Sequence, residues 1–185
     1  MPEAIEIGHL DLKMPAYVRA EITIKSSFEP HEAPVSQLAD LVAKIVAIEG
    51  PIHIDEVARR ITSAFGRSRA GSRIVDATAV AVRHALHHSL TLTRDGPILM
   101  TLAQAAAPPV RDRSAEPASL INAALLPPCE IAAAAALVRR ESGDVSADEL
   151  TRAIARLLGF RRVGNELSTV IAAAIAVIPR NPGHL

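Results

Sequence analysis

Seven residues in this chain are of a type and spacing suited to holding a polyanion. Arg67, Arg69, Ser72, Arg73 and Arg83 fall around one short glycine-containing stretch, and Arg161 and Arg162 fall around a second. Guanidinium is a forked, permanently charged donor that fits phosphate oxygens and the edge of guanine. For Arg67, Arg73 and Arg161 the alternatives are DNA contact or a solvated face. Arg69 and Arg162 have a further alternative, capping the carbonyl end of a preceding helix or pairing with acidic groups of the fold.

Other reactive side chains offer less. His84, His87 and His88 share a helix face at i, i+3 and i+4, but no Cys, Asp or Glu beside them completes a metal site, so they read as a solvated, weakly basic face. His53 stands just before a helix and reads as a capping or loop residue. Asp55-Glu56 and Asp148-Glu149 begin two helices, where a carboxylate favours the positive end of the helix dipole. Cys129 is the single cysteine, which excludes an intramolecular disulfide and a cysteine-built zinc site. Phosphate-binding glycine loops and the nucleophile elbow are absent as motifs. The expectation is a chain without catalytic residues, bound metal or cofactor.

The elements that carry these residues repeat. Shifted by 93 positions, Gly50–Val82 lies over Gly143–Ile175 without a gap and ten of 33 positions are identical, among them Gly50/Gly143, Gly66/Gly159, Arg69/Arg162 and Gly71/Gly164. Matches at turn glycines and at core-facing positions indicate a shared backbone. In the first copy, apolar residues at 38, 41, 42, 45 and 46 predict a helix over Val35–Ile48. A second helix is expected over Ile54–Phe65, closed by Gly66, and a third over Gly71–His88, which makes a helix-turn-helix. Leu90–Thr93, Arg94-Asp95-Gly96-Pro97 and Ile98–Thr101 then read as strand, turn and strand. In the second copy the expected helices are Cys129–Arg140, Ala147–Leu158 and Gly164–Ile178, with a missing or stunted hairpin after them.

The expected fold is thus mainly α with a small β wing, a tandem repeat of two winged-helix-like helix-turn-helix units. Residues 1–33 are an N-terminal extension in which Tyr17–Ile24 alternates like one strand that pairs with a wing. Residues 34–102 form the first unit, 103–126 a Pro- and Ala-rich linker, and 127–185 the second unit with its truncated wing.

Four stretches in order, EGPIHIDEVARRITSAFGRSRAGSRI, PPVRDRS, LLPPCEIAAAAALV and LTRAIARLLGFRRVGNEL, resemble an uncharacterised bacterial domain. That domain is found at the C-terminal end of very large superfamily-one helicase-like ATPases, often beside a Vsr-like endonuclease module. The resemblance covers about residues 15 to 178. Cys129 departs from it, standing where an acidic residue is usual. No motor or nuclease motif occurs in these 185 residues, so what the resemblance implies is an accessory role beside a helicase or nuclease partner.

Composition narrows the function classes. Twenty basic residues balance twenty acidic ones, so no chain-wide field draws in nucleic acid or anionic lipid and any DNA contact must be a local patch. One Tyr, three Phe and no Trp leave little for base stacking. The longest apolar runs, Ile131–Val138 and Val170–Ile178, are too short to cross a bilayer, and the N-terminus has no secretion-signal pattern, so the expectation is a cytoplasmic chain with no membrane partner. Two functions from different classes follow: a DNA-binding accessory module, and a protein-interaction or homo-oligomerisation module. The third helices separate the copies. The first carries Ser72, Arg73 and Arg83 against Asp76, whereas the second opens with Asn165-Glu166 and continues in Ala and Ile, so DNA contact is expected in the first copy.

Overall fold

The computed structural model describes residues 12–118 and 121–177, and over them the chain is mainly helical with one small three-stranded antiparallel sheet. Two compact units are present. One gathers Val18–Pro109 with Leu125–Pro127; the other gathers the described residues of Met1–Tyr17, Val110–Ala124 and Pro128–Leu185.

In the unit containing Val18–Pro109, α1 (Val35–Glu49) starts after Pro34 and buries Leu38, Leu41, Val42, Ile45 and Val46, the stripe that a helical repeat places on one side. Ile52–His53 is β1, and α2 (Ile54–Ala64) follows at once. The His53 side chain caps α2, its Nδ1 accepting from the Asp55 amide at 3.1 Å. Gly66, at φ +70°, turns the chain out of α2, and the amides of Gly66 and Arg67 donate to Ser63 and Thr62 carbonyls. α3 (Ser72–His88) buries Ile74, Thr78, Ala81, Val82 and Ala85. These three helices share a core in which Leu38, Val42, Ile45, Val57, Ile61, Ala81 and Val82 are at most 2% exposed. Ala81 lets α3 approach closely, and burying the larger side chains is each worth about 1.5–3 kcal/mol.

β2 (Leu92–Asp95) and β3 (Ile98–Thr101) form a hairpin in which Arg94 faces Leu99 and Asp95 faces Ile98. β1 pairs with the other edge of β3, Ile52 opposite Leu99, giving the order β1-β3-β2. α4 (Leu102–Ala106) runs into the stretch from residue 103 that composition marks as a linker. Its start is a reciprocal capping box between Thr101 and Gln104, and Gln104 also donates to the Val46 carbonyl at 3.1 Å.

In the other unit, α5 (Pro128–Ser142), α6 (Ala147–Leu157) and α7 (Asn165–Ala176) enclose Ile131, Ala134, Ala135, Val138, Leu150, Ile154, Leu158, Leu167 and Ile171. Each helix begins 93 residues after a counterpart: Pro128 after Val35, Ala147 after Ile54, Asn165 after Ser72. The turns correspond too. Gly159, at φ +85°, donates to Arg156 and Phe160 donates to Ala155, the positions matching Ser63 and Thr62. Ser146 occupies the capping position of His53 and accepts from the Glu149 amide. In return Glu149 accepts from the Ser146 hydroxyl and amide, which holds its carboxyl below the ordinary value.

One expectation is corrected. Tyr17–Ile24 does not pair with the sheet. Burial along it does alternate, with Ala20 buried and Val18, Glu21 and Thr23 exposed. The inward groups, however, meet helix ends and not a strand: the Ala20 amide donates to Glu49 Oε1 at 2.8 Å and the Ile24 amide to the Ala64 carbonyl at 2.8 Å. Alternation reports that one side of an extended chain is covered, whatever covers it. The second hairpin, expected missing or stunted after residue 178, falls outside the described residues.

Candidate nucleic-acid interface

α3 has one outward side. At 100° per residue, Ser72, Arg73, Asp76, Val80, Arg83 and His87 fall within one sector opposite Ile74, Thr78, Val82 and Ala85, and all six are exposed. The turn before α3 adds exposed Arg67 and Arg69. Five of the predicted residues, Arg67, Arg69, Ser72, Arg73 and Arg83, therefore lie on the α2–α3 turn and the solvent side of α3. Backbone amides bond carbonyls at the ends of both α2 and α6, in the turns that hold Arg69 and Arg162. Among the described residues neither arginine engages a carboxylate, and both are exposed.

Arg67 differs. Its guanidinium forms a forked pair with Glu29, Nε to Oε2 at 3.1 Å and Nη2 to Oε1. Both side chains are about half exposed, so the pair is worth at most about 1 kcal/mol and opens easily. Phe28 packs on Phe65 nearby, ring centroids 6.4 Å apart. Residues 28–29 thus clasp the α2–α3 turn. The sequence gives no hint of this, since Glu29 and Arg67 are 38 positions apart. At the hairpin tip Arg94 donates to the Gly96 carbonyl through Nε at 2.9 Å and Nη2 at 2.6 Å, fixing the turn.

The matching side of α7 is chemically different. Glu166 occupies the place of Arg73, Thr169 that of Asp76, Ala173 that of Val80 and Ala176 that of Arg83. Arg161 and Arg162 are exposed in the turn before it, but Glu166 repels a phosphate backbone.

The buried charged residues are paired within each unit. In the Val18–Pro109 unit, Glu49 is fully buried and accepts from Arg60 Nε at 2.7 Å and Nη2 at 2.9 Å, besides the Ala20 amide. Glu56 takes Arg60 Nη1 at 3.1 Å and also Arg59. In the other unit the buried carboxylate of Glu130 meets Arg111 Nη2 at 2.9 Å, Arg113 Nη1 at 2.9 Å and Arg113 Nη2 at 2.7 Å. Tyr17 lies against both guanidiniums, 4.9 and 4.8 Å from its ring centre. Burial pushes the Glu130 carboxyl up, but hydrogen bonds and charge from Arg113 and then Arg111 outweigh it, and the group sits below the ordinary carboxylate value. Sequence reading missed this cluster. Its one signal was an Arg-x-Arg in a stretch otherwise of linker composition.

Residues 29–76 match a family described only as a protein of unknown function, DUF3320. The matched segment contains α1, β1, α2, the Arg67–Arg69 turn and the first residues of α3, so these carry an uncharacterised domain. No curated protein and no solved structure matches the chain. Among the described residues no helix is long and apolar enough to cross a membrane.

Proposed function

We propose that the chain is a non-catalytic DNA-binding accessory module made of two winged-helix-like units, of which the first meets the duplex. The observation that carries this reading is the outward side of α3, where Arg73 and Arg83 bracket Val80 beyond an exposed Arg69 turn. The succession α1, β1, α2, α3 and hairpin, with sheet order β1-β3-β2, supports reading this unit as a helix-turn-helix followed by a wing. The helices offset by 93 residues support the tandem repeat. In this reading Arg69, Ser72 and Arg73 hold phosphates or base edges at the start of α3, Arg83 holds the far end, and Arg67 joins when it leaves Glu29. Arg161 and Arg162 give a weaker contact. The partner is a helicase or nuclease system, in keeping with the resemblance of the four sequence blocks.

Fluorescence anisotropy with duplex, forked and single-stranded DNA tests the proposal. Binding is expected near 50 mM salt, and its absence at roughly 100 μM protein rejects the reading, since even non-specific contact shows there. A second reading, homo-oligomerisation, is favoured by one feature: Ala172, Ala173, Ala176 and Val177 of the second unit are exposed, Val177 at 83%. Sedimentation as a strict monomer at high concentration counts against it.

A further inference from the structure

The C-terminal end of α3 carries three imidazoles that the DNA reading does not use. His84 is half-buried, and His87 and His88 are exposed. His84 and His88 are one helical turn apart with ring centroids at 4.3 Å and 43° between planes, and His87 stands edge-on to His88 at 4.8 Å. Among the described residues none of the three donates to or accepts from another group, so their ring nitrogens are open to a ligand.

We infer that His84 and His88 form a two-imidazole chelate for a borderline divalent transition ion such as Cu²⁺, Ni²⁺ or Zn²⁺. A metal–imidazole bond is about 2.0–2.1 Å long, so two nitrogens on one ion lie roughly 3 Å apart. Rings already 4.3 Å apart reach that separation by side-chain rotation, with the backbone of α3 unchanged. Imidazole selects these ions over Mg²⁺ and Ca²⁺, which require oxygen ligands, and the expected order places Cu²⁺ first. No group of three or more His, Cys, Asp or Glu among the described residues is arranged around one point. The site is accordingly bidentate and open to water, and the ion exchanges readily, unlike a four-ligand structural zinc. The neighbouring Arg83 opposes the incoming charge. The bound ion bridges the last turn of α3, where the Ser89 amide donates to the Ala85 carbonyl.

Isothermal titration of the full chain, prepared without a histidine tag, with Cu²⁺, Ni²⁺ and Zn²⁺ tests this. The expected result is one ion per chain, with affinity reduced about tenfold or more in His84→Ala and in His88→Ala, and less in His87→Ala, which removes no ligand. The melting temperature rises with metal in the native chain and in His87→Ala but not in the other two, because the ion binds the folded helix turn. Unchanged binding in the His84→Ala, His88→Ala double variant overturns the inference by placing the ion on other histidines. So does the absence of binding at about 1 mM metal, where even weak chelation registers.

Discussion

Gly66 and Gly159 occupy corresponding places after α2 and α6, both with positive φ, yet replacing them with alanine has unequal consequences. At Gly66 a Cβ meets nothing within 4 Å, so Gly66→Ala costs only the left-handed backbone, about 1–2 kcal/mol. At Gly159 the same conformational cost applies, and the Cβ also runs into the Asp112 side chain and the amides of Ser114 and Arg113, the last at 2.5 Å. Those amides cannot yield cheaply: Arg113 donates to the Leu158 carbonyl at 3.1 Å and Ser114 to Asp112 Oδ1 at 2.8 Å. Overpacking of this kind adds about 1–3 kcal/mol. Gly159→Ala is thus expected to lose about 2 kcal/mol more than Gly66→Ala, roughly a 30-fold difference in the folding equilibrium. Urea unfolding followed by circular dichroism measures both. Tyr17, the only tyrosine in a chain without Trp, adds a fluorescence signal from the unit that holds Gly159. Equal losses in the two variants, at unchanged denaturant slope, refute the packing described around Gly159.

Two further outcomes are expected. Glu130→Gln leaves two buried guanidiniums without a counter-charge and should cost about 3–5 kcal/mol at neutral pH. Because the Glu130 carboxyl is depressed in the folded state, its contribution is present above the unfolded-state value and is lost as pH falls through the folded one. Acid unfolding of Glu130→Gln should therefore show a shallower fall below about pH 4.5 than the native chain, and a parallel curve contradicts this. Glu29→Ala frees Arg67 and should tighten duplex binding while steepening its salt dependence by about one unit, provided circular dichroism is unchanged. No change in slope means that Arg67 stays off the phosphates.

The parts legible in sequence were those with a local pattern. Apolar spacing in α1, the glycines after α2 and α6, and the Asp95-Gly96-Pro97 turn each act within a few residues, and the two glycines recur at the 93-residue offset. β1 was not legible: two residues cannot display an alternation, and Ile52–His53 is a strand only because β3 arrives beside it. The linker composition of 103–126 concealed α4 and the buried Arg111 and Arg113, whose partner Glu130 is 19 and 17 positions away. Glu49 with Arg60 is similar, a charge pair set by packing and not by spacing along one helix face. For the site, the exposed arginines were legible as a cluster, whereas the Glu29 clasp on Arg67 depends on how residues 28–29 fold back over Phe65.

The central claim is that the α2–α3 turn and the outward side of α3 contact duplex DNA. It is tested most directly by the salt dependence of duplex binding in the native chain and in the Arg73→Ala, Arg83→Ala double variant. Both arginines are exposed, so the variant should keep its fold. The account predicts weaker binding with the slope of log affinity against log salt reduced by close to two, because each lost phosphate contact removes about 0.9 of a released counterion. Unchanged affinity and slope in a folded double variant would contradict it.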